Sequence, residues 1–185
     1  MSKNLALLML FFISACSPII IREEPAPQAT PESWVTQADI DYAENFAASI
    51  FTDEEWTGEI SIHADRVMHT WNLNDTGNLA YLDYRIYTEG YTQEDLDYYY
   101  SIETFNDILF THYDDLEQLR TCSTGNLTLY EFSASYMDTP YLIRDWVDTS
   151  NPKRIAELSL IFTEADRADF DSYARALFPT LPNCD

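Results

Sequence analysis

Residues 58–73 read Gly58-Glu-Ile-Ser-Ile-His-Ala-Asp-Arg-Val-Met-His-Thr-Trp-Asn-Leu73, and the way this stretch is divided decides the fold. Ile60 and Ile62 alternate with polar residues, and further on Val67, His69, Trp71 and Leu73 do the same. A period of two is the mark of a strand with one buried face. The two runs are out of phase, so the buried face changes between them, and a break or bulge is expected near Ala64 to Arg66. Asn74-Asp75-Thr76-Gly77-Asn78 is turn chemistry. The following run, Leu79 to Thr88, puts Ala80, Leu82, Tyr84 and Ile86 on one face. Glu59–Leu73 and Leu79–Thr88 therefore read as the two arms of a hairpin.

Working outward, a helix is expected before the hairpin. Thr36 with Asp39 is a short version of the capping box. Ile40, Ala43, Phe46, Ala47 and Ile50 recur at helical spacing to about Phe51. After the hairpin, Gly90 ends the strand and Thr92 with Asp95 opens a second helix. Tyr98, Ile102, Phe105 and Leu109 form its stripe to about Phe110. A less regular segment follows to Arg120, and Cys122 to Gly125 reads as a turn. Three strands are then expected, Leu127–Tyr136, Tyr141–Asp148 and Arg154–Phe162, joined at Asp138-Thr139-Pro140 and Asn151-Pro152. Thr163 caps a last helix whose stripe is Phe170, Tyr173, Ala174, Leu177 and Phe178, and Pro179 stops it. The order α-β-β-α-β-β-β-α predicts an α+β domain, with an antiparallel sheet of about five strands packed by amphipathic helices.

In layout this order resembles the PsbP-like fold. The resemblance is carried by Gly58-Glu59-Ile60-Ser61-Ile62 leading to Trp71, by the helix from Thr92, and by the closing strand and helix Arg154–Phe178. It covers about two-thirds of the chain. Members of that family include small exported lipoproteins and extrinsic proteins of photosystems. The resemblance implies an accessory, non-enzymatic role. An NTF2-like cone and a helix-grip sheet are competing arrangements.

Lys3 precedes an apolar run from Leu5 to Ile13, which is followed by Ser14-Ala15-Cys16. A short positive start, an apolar core and small residues before a cleavage site make an export signal rather than a membrane span. Ile13-Ser14-Ala15-Cys16 resembles the bacterial lipobox, which implies that Cys16 carries a lipid. The expected organisation is a signal peptide over 1–15, a lipidated Cys16 with a Pro-rich tether over 16–33, and one domain over 34–185. The tether, with Pro18, Pro25, Pro27 and Pro31, would hold the domain on the order of 20–25 Å from a membrane as a coil. The expected location is the extracytoplasmic face of a bacterial cell envelope.

The chain carries 10 Lys and Arg against 32 Asp and Glu, a formal charge of −22. The leader holds only Lys3, so a single lysine, Lys153, remains after it. Such a surface repels phosphate backbones, and nucleic acid is excluded as a partner. The charge keeps the domain soluble, and it also matches proteins of saline habitats. With Cys16 assigned to lipid, Cys122 and Cys184 remain, and an exported compartment permits a disulfide between them. Closing that loop of about 62 residues is worth roughly 4 kcal/mol in the chain-entropy model.

No G-x-S-x-G and no phosphate-cradling glycine loop occur. His63, Asp65 and His69 could reach a metal only if their arm bends, and ordinary strand histidines are the simpler reading. No catalytic residue, metal or cofactor is assigned. Tyr81, Asp83, Arg85 and Tyr87 share the strand face opposite Leu82 and Ile86. Exposed, that face would bind a sugar or a peptide; covered by a helix, it would be core. The expectation is a membrane-anchored binding or interaction module with an envelope protein partner. The alternatives are a small-ligand or carbohydrate receptor using this face, and a metal-assisted envelope hydrolase using His63 and His69.

Overall fold

The chain separates into two units, Met1–Thr30 and Pro31–Asp185. The computed structural model describes residues 33–178 apart from 53 and 75, all within the second unit. Cys16, the signal segment, nearly all of the tether, Pro179 and Cys184 lie outside the described residues.

The elements in chain order are α1 (Gln37–Asn45), β1 (Trp56–Ile62), β2 (Arg66–Leu73), β3 (Leu79–Ile86), α2 (Gln93–Tyr99), α3 (Ile102–Thr104) and a π-helical turn (Phe105–Leu109). Then come β4 (Asp114–Thr124), β5 (Leu127–Tyr136), β6 (Thr139–Asn151), β7 (Arg154–Thr163), a 3-10 turn (Glu164–Asp166) and α4 (Arg167–Leu177). The strands form one antiparallel sheet of seven, in the order β1-β2-β3-β7-β6-β5-β4. The expected five-strand layout is therefore corrected to seven strands, with three before the middle helices and four after them.

Both additional strands have a physical explanation. The face change near Ala64 is not a bulge but a full hairpin turn: Ile62 pairs with Val67, and the His63 N–H donates to the Arg66 carbonyl at 2.9 Å. His63-Ala64-Asp65 has no Gly, Pro or Asn, the usual signals of a turn. Tertiary bonds hold it instead. The Ala64 carbonyl accepts the Trp34 N–H at 2.8 Å, and the Asp65 carbonyl accepts the Ile86 N–H at 2.8 Å. β4 was hidden for a different reason. It is a polar edge strand with register shifts between Asp114 and Glu117 and between Gln118 and Arg120. Each shift breaks the period of two, and an edge strand needs no continuous apolar face.

The helices differ from expectation at their ends. α1 stops at Asn45 rather than near Phe51. The second helix breaks into α2, α3 and the π-helical turn. Thr163 precedes the 3-10 turn without capping it; its hydroxyl donates to Asp166 Oδ2 at 2.9 Å. The capping boxes Thr36/Asp39 and Thr92/Asp95 are both formed.

Each face of the sheet carries its own apolar cluster. On one face Trp56, Trp71, Leu82, Trp146, Leu158 and Phe162 pack under α1 and α4, through Ala43, Phe170 and Ala174. On the other, Phe132, Ile143, Val147, Ile155 and Ile161 pack under the covering segment 93–110, through Tyr100, Phe105 and Phe110. Phe105 is the centre of that second cluster, with its ring 4.6 Å from Phe132 and 5.7 Å from Phe110. Burying both faces explains why β7 is buried at every position from Ile155 to Phe162.

Candidate functional site

The second face is not uniformly apolar. Antiparallel register places Asp83 opposite Glu157, Asp145 opposite Ser159, Tyr81 opposite Ser159 from the other side, and Tyr130 opposite Asp145. Directly opposed side chains on one face lie close enough to bond. The three central strands β3, β7 and β6 thus each bring a carboxylate to one buried patch, and Asp83, Glu157 and Asp145 are all buried.

Two arginines enter this patch. Arg85 Nε donates to Asp83 Oδ2 at 2.8 Å, and its Nη2 lies 3.2 Å from Glu157 Oε2. Arg66 sits opposite Arg85 across β2 and β3. Opposed like charges repel, and Asp83 Oδ2 offsets this by also accepting Arg66 Nη1 at 3.1 Å. Arg66 is held from outside by Asp65 at 3.4 Å. From the covering segment, the Tyr100 hydroxyl donates to Glu157 Oε2 at 3.1 Å, and the Tyr99 ring lies 5.7 Å from the Arg85 guanidinium. Burial alone would lower the pKa of Arg85, but Glu157 and Asp83 outweigh it and push it up. Burial, with Glu157 nearby, holds the hydroxyls of Tyr81 and Tyr100 well above the usual tyrosine range.

At the outer end of the patch a pocket of about 240 Å³ opens to solvent. Its floor holds Arg66 and Arg85, its aromatic walls are Trp34, Tyr87 and Tyr99, and Asp65 and Glu89 stand on its polar side. Trp34 is 49% exposed, and the bond from its backbone to Ala64 fixes its position. On the neighbouring loop, Lys153 Nζ donates to the Thr88 carbonyl at 2.8 Å.

The structure does bring Tyr81, Asp83, Arg85 and Tyr87 to one face, but that face is not open. Segment 93–110 covers it, and Asp83 and Arg85 are buried. Only its outer end, Arg85 and Tyr87, reaches the pocket. The histidines stand apart in role. His63 is exposed on the hairpin turn, with Nε2 3.4 Å from Ser61 Oγ. His69 is buried, with Nδ1 2.9 Å from the Ala43 carbonyl and its ring stacked on Trp71. Among the described residues no three His, Cys, Asp or Glu side chains gather as a metal-binding group. Cys122 lies on β4, packed against the α1/α4-side cluster.

Sequence reasoning missed Trp34, Arg66, Tyr99, Glu157, Asp145 and Ser159. One signal was available. Glu157 and Ser159 sit between Ile155 and Ile161 on their face, and Asp145 sits between Ile143 and Val147. A charge flanked by apolar residues two positions away, on a strand apolar on its other face as well, marks a buried polar group. Trp34 and Tyr99 reach the pocket through tertiary packing and leave no such signal. Comparison with known protein families, curated proteins and solved structures finds no match for this chain.

Proposed function

We propose that this chain is a lipid-anchored extracytoplasmic binding module whose ligand site is the pocket over Arg66 and Arg85. The observation that carries this reading is the convergence of three aromatic side chains and two carboxylate-bound guanidinium groups on one open pocket of about 240 Å³. Concave sites that join aromatic walls to a few fixed polar groups are the usual form of small-ligand sites. Asp65, Asp83 and Glu157 already neutralise the guanidinium groups, so the pocket offers no spare positive charge to an anion. It offers fixed donors and acceptors with ring faces beside them, which suits an uncharged, hydroxyl-rich ring such as one sugar unit. The volume is below the roughly 300–1,000 Å³ of drug-sized sites, so a single ring is the expected occupant. The lipobox-like Ile13-Ser14-Ala15-Cys16 supports the anchor.

Trp34 is the natural reporter. Titration of the full-length protein with a panel of neutral mono- and disaccharides should give a saturable change in Trp34 fluorescence. Trp34→Phe removes that change, and Arg66→Ala weakens binding, while both variants stay folded. No response to any neutral sugar, with a response to choline or glucuronate, would redirect the ligand class; silence to all three classes would end the pocket reading. For the anchor, labelled palmitate should enter the wild type and not Cys16→Ala.

A further inference from the structure

The buried patch holds more carboxylates than its cations engage. Asp83 and Glu157 are bonded by Arg85, and Arg66 adds a second bond to Asp83. Asp145 has no such partner. Its Oδ1 accepts only the Ser159 hydroxyl, at 2.6 Å, and its Oδ2 is buried with no hydrogen-bond partner among the described residues. Glu157 Oε1 and Asp83 Oδ1 are in the same condition. The groups facing Asp145 are Tyr81, Asp83 and Arg85 from β3, Glu157 and Ser159 from β7, and Tyr130 from β5. The covering segment adds Tyr100, with Asp97 behind Tyr130, and Arg66 closes the far end on β2. Only two of these groups are cationic, and both are committed to other carboxylates. An ionised carboxylate with no cation and one hydroxyl donor is not sustained in a buried site; it takes a proton or draws in water.

We propose that Asp145 carries a proton in the folded protein at neutral pH, and that this proton is a latch keeping the covering segment 93–110 seated on the sheet. Burial first, and the Glu157 carboxylate second, hold the Asp145 carboxyl well above the usual carboxylate range, consistent with that state. When the proton leaves, a second negative charge appears beside Glu157 and must be solvated. Strands flank Asp145 on both sides within the sheet, and α1 and α4 close the opposite face. Water therefore enters from above, by lifting the covering segment. α2 buries none of its residues, and the segment continues through a three-residue helix and a π-helical turn, so its hold on the sheet rests on Tyr100, Phe105 and Phe110. Its polar link to the patch is the Tyr100 hydroxyl on Glu157. Opening would also remove Tyr99 from the pocket wall, so the latch would gate that site if the pocket is the ligand site; the latch itself does not depend on that reading.

The test uses full-length protein and two readouts. Infrared spectra in heavy water should show one buried protonated carboxyl at pH 7, absent in Asp145→Asn and lost in the wild type as pH rises. Hydrogen exchange should show peptides within 93–110 opening more readily as pH rises. Below the midpoint the gain approaches about tenfold per pH unit beyond the chemical exchange rate. Asp145→Asn abolishes that excess, and Glu157→Gln, which removes the neighbouring negative charge, moves it to lower pH while the 34–52 peptides stay unchanged. A wild type without a protonated carboxyl at pH 7 overturns the proposal even if Asp145→Asn fails to fold. A band that persists in Asp145→Asn, or exchange of 93–110 with the same pH dependence in wild type and Asp145→Asn, also overturns it.

Discussion

Arg85 Nη2 lies 3.2 Å from Glu157 Oε2, with both side chains buried between the sheet and its covering segment. The register sets this contact: Arg85 stands beside Asp83 on β3, and Asp83 is paired with Glu157 on β7. A buried ion pair of this kind is stabilising only relative to its own broken form. It specifies how β3, β7 and segment 93–110 come together more than it adds to total stability.

Removing one partner is therefore the costly change. Arg85→Met leaves Asp83 and Glu157 buried without their shared cation and should cost about 3–5 kcal/mol in urea unfolding. Adding Glu157→Gln to Arg85→Met should recover part of that loss. A double variant no more stable than the single would show that the cost comes from lost packing and not from stranded charge.

Gly58 is a second sensitive position. It pairs with Trp71, and a Cβ there would stand 2.9 Å from His69 Nε2 and 3.3 Å from Trp71 Cδ1. The imidazole cannot retreat, because its other nitrogen is 2.9 Å from the Ala43 carbonyl and its ring is stacked on Trp71. Gly58→Ala should cost about 1–3 kcal/mol by overpacking. Adding His69→Ala should relieve the clash, so thermal melting of the pair should show a cost well below the sum of the two single changes.

Asp39 is one of the carboxyls that make the fold sensitive to acid. Burial pushes its carboxyl up, but hydrogen bonds from Arg154, at 2.8 Å, and from Thr36 outweigh burial and hold it below the usual value of 3.8. A lowered carboxyl stabilises the fold above its unfolded value and loses that contribution as the pH falls through its folded value. Asp39→Asn should thus lose about 1–3 kcal/mol near neutral pH and show a shallower fall in stability below about pH 4. Parallel pH profiles for the two proteins would remove Asp39 from the acid response.

For the cysteines, non-reducing peptide mapping should recover Cys122 joined to Cys184, and Cys184→Ser should cost roughly 2–4 kcal/mol. Free thiols at both positions would rule out that bridge.

How much of this was written in the chain can be judged element by element. The cap pairs Thr36/Asp39 and Thr92/Asp95 were legible and formed, because capping is local chemistry between residues three apart. The strands β3, β5 and β7 were legible because one face of each carries an unbroken apolar series, such as Ala80, Leu82, Tyr84 and Ile86 on β3 and Ala156, Leu158, Leu160 and Phe162 on β7. The β1–β2 turn was not, because His63-Ala64-Asp65 is turned by hydrogen bonds from Trp34 and Ile86, distant in sequence. β4 was not, because two register shifts scramble its period.

By itself, then, the sequence determined the capped starts of the first two helices and the sharing of one strand face by Tyr81, Asp83, Arg85 and Tyr87, since each follows from spacing within a few residues. Tertiary structure alone decided that this face is covered and that Asp145, Glu157 and Ser159 join it from β6 and β7. It also decided that Trp34 and Tyr99 close a pocket at its end. Register between strands and the choice of which helix packs on which face are set by burial summed over the whole sheet, and no local stretch of residues encodes that sum.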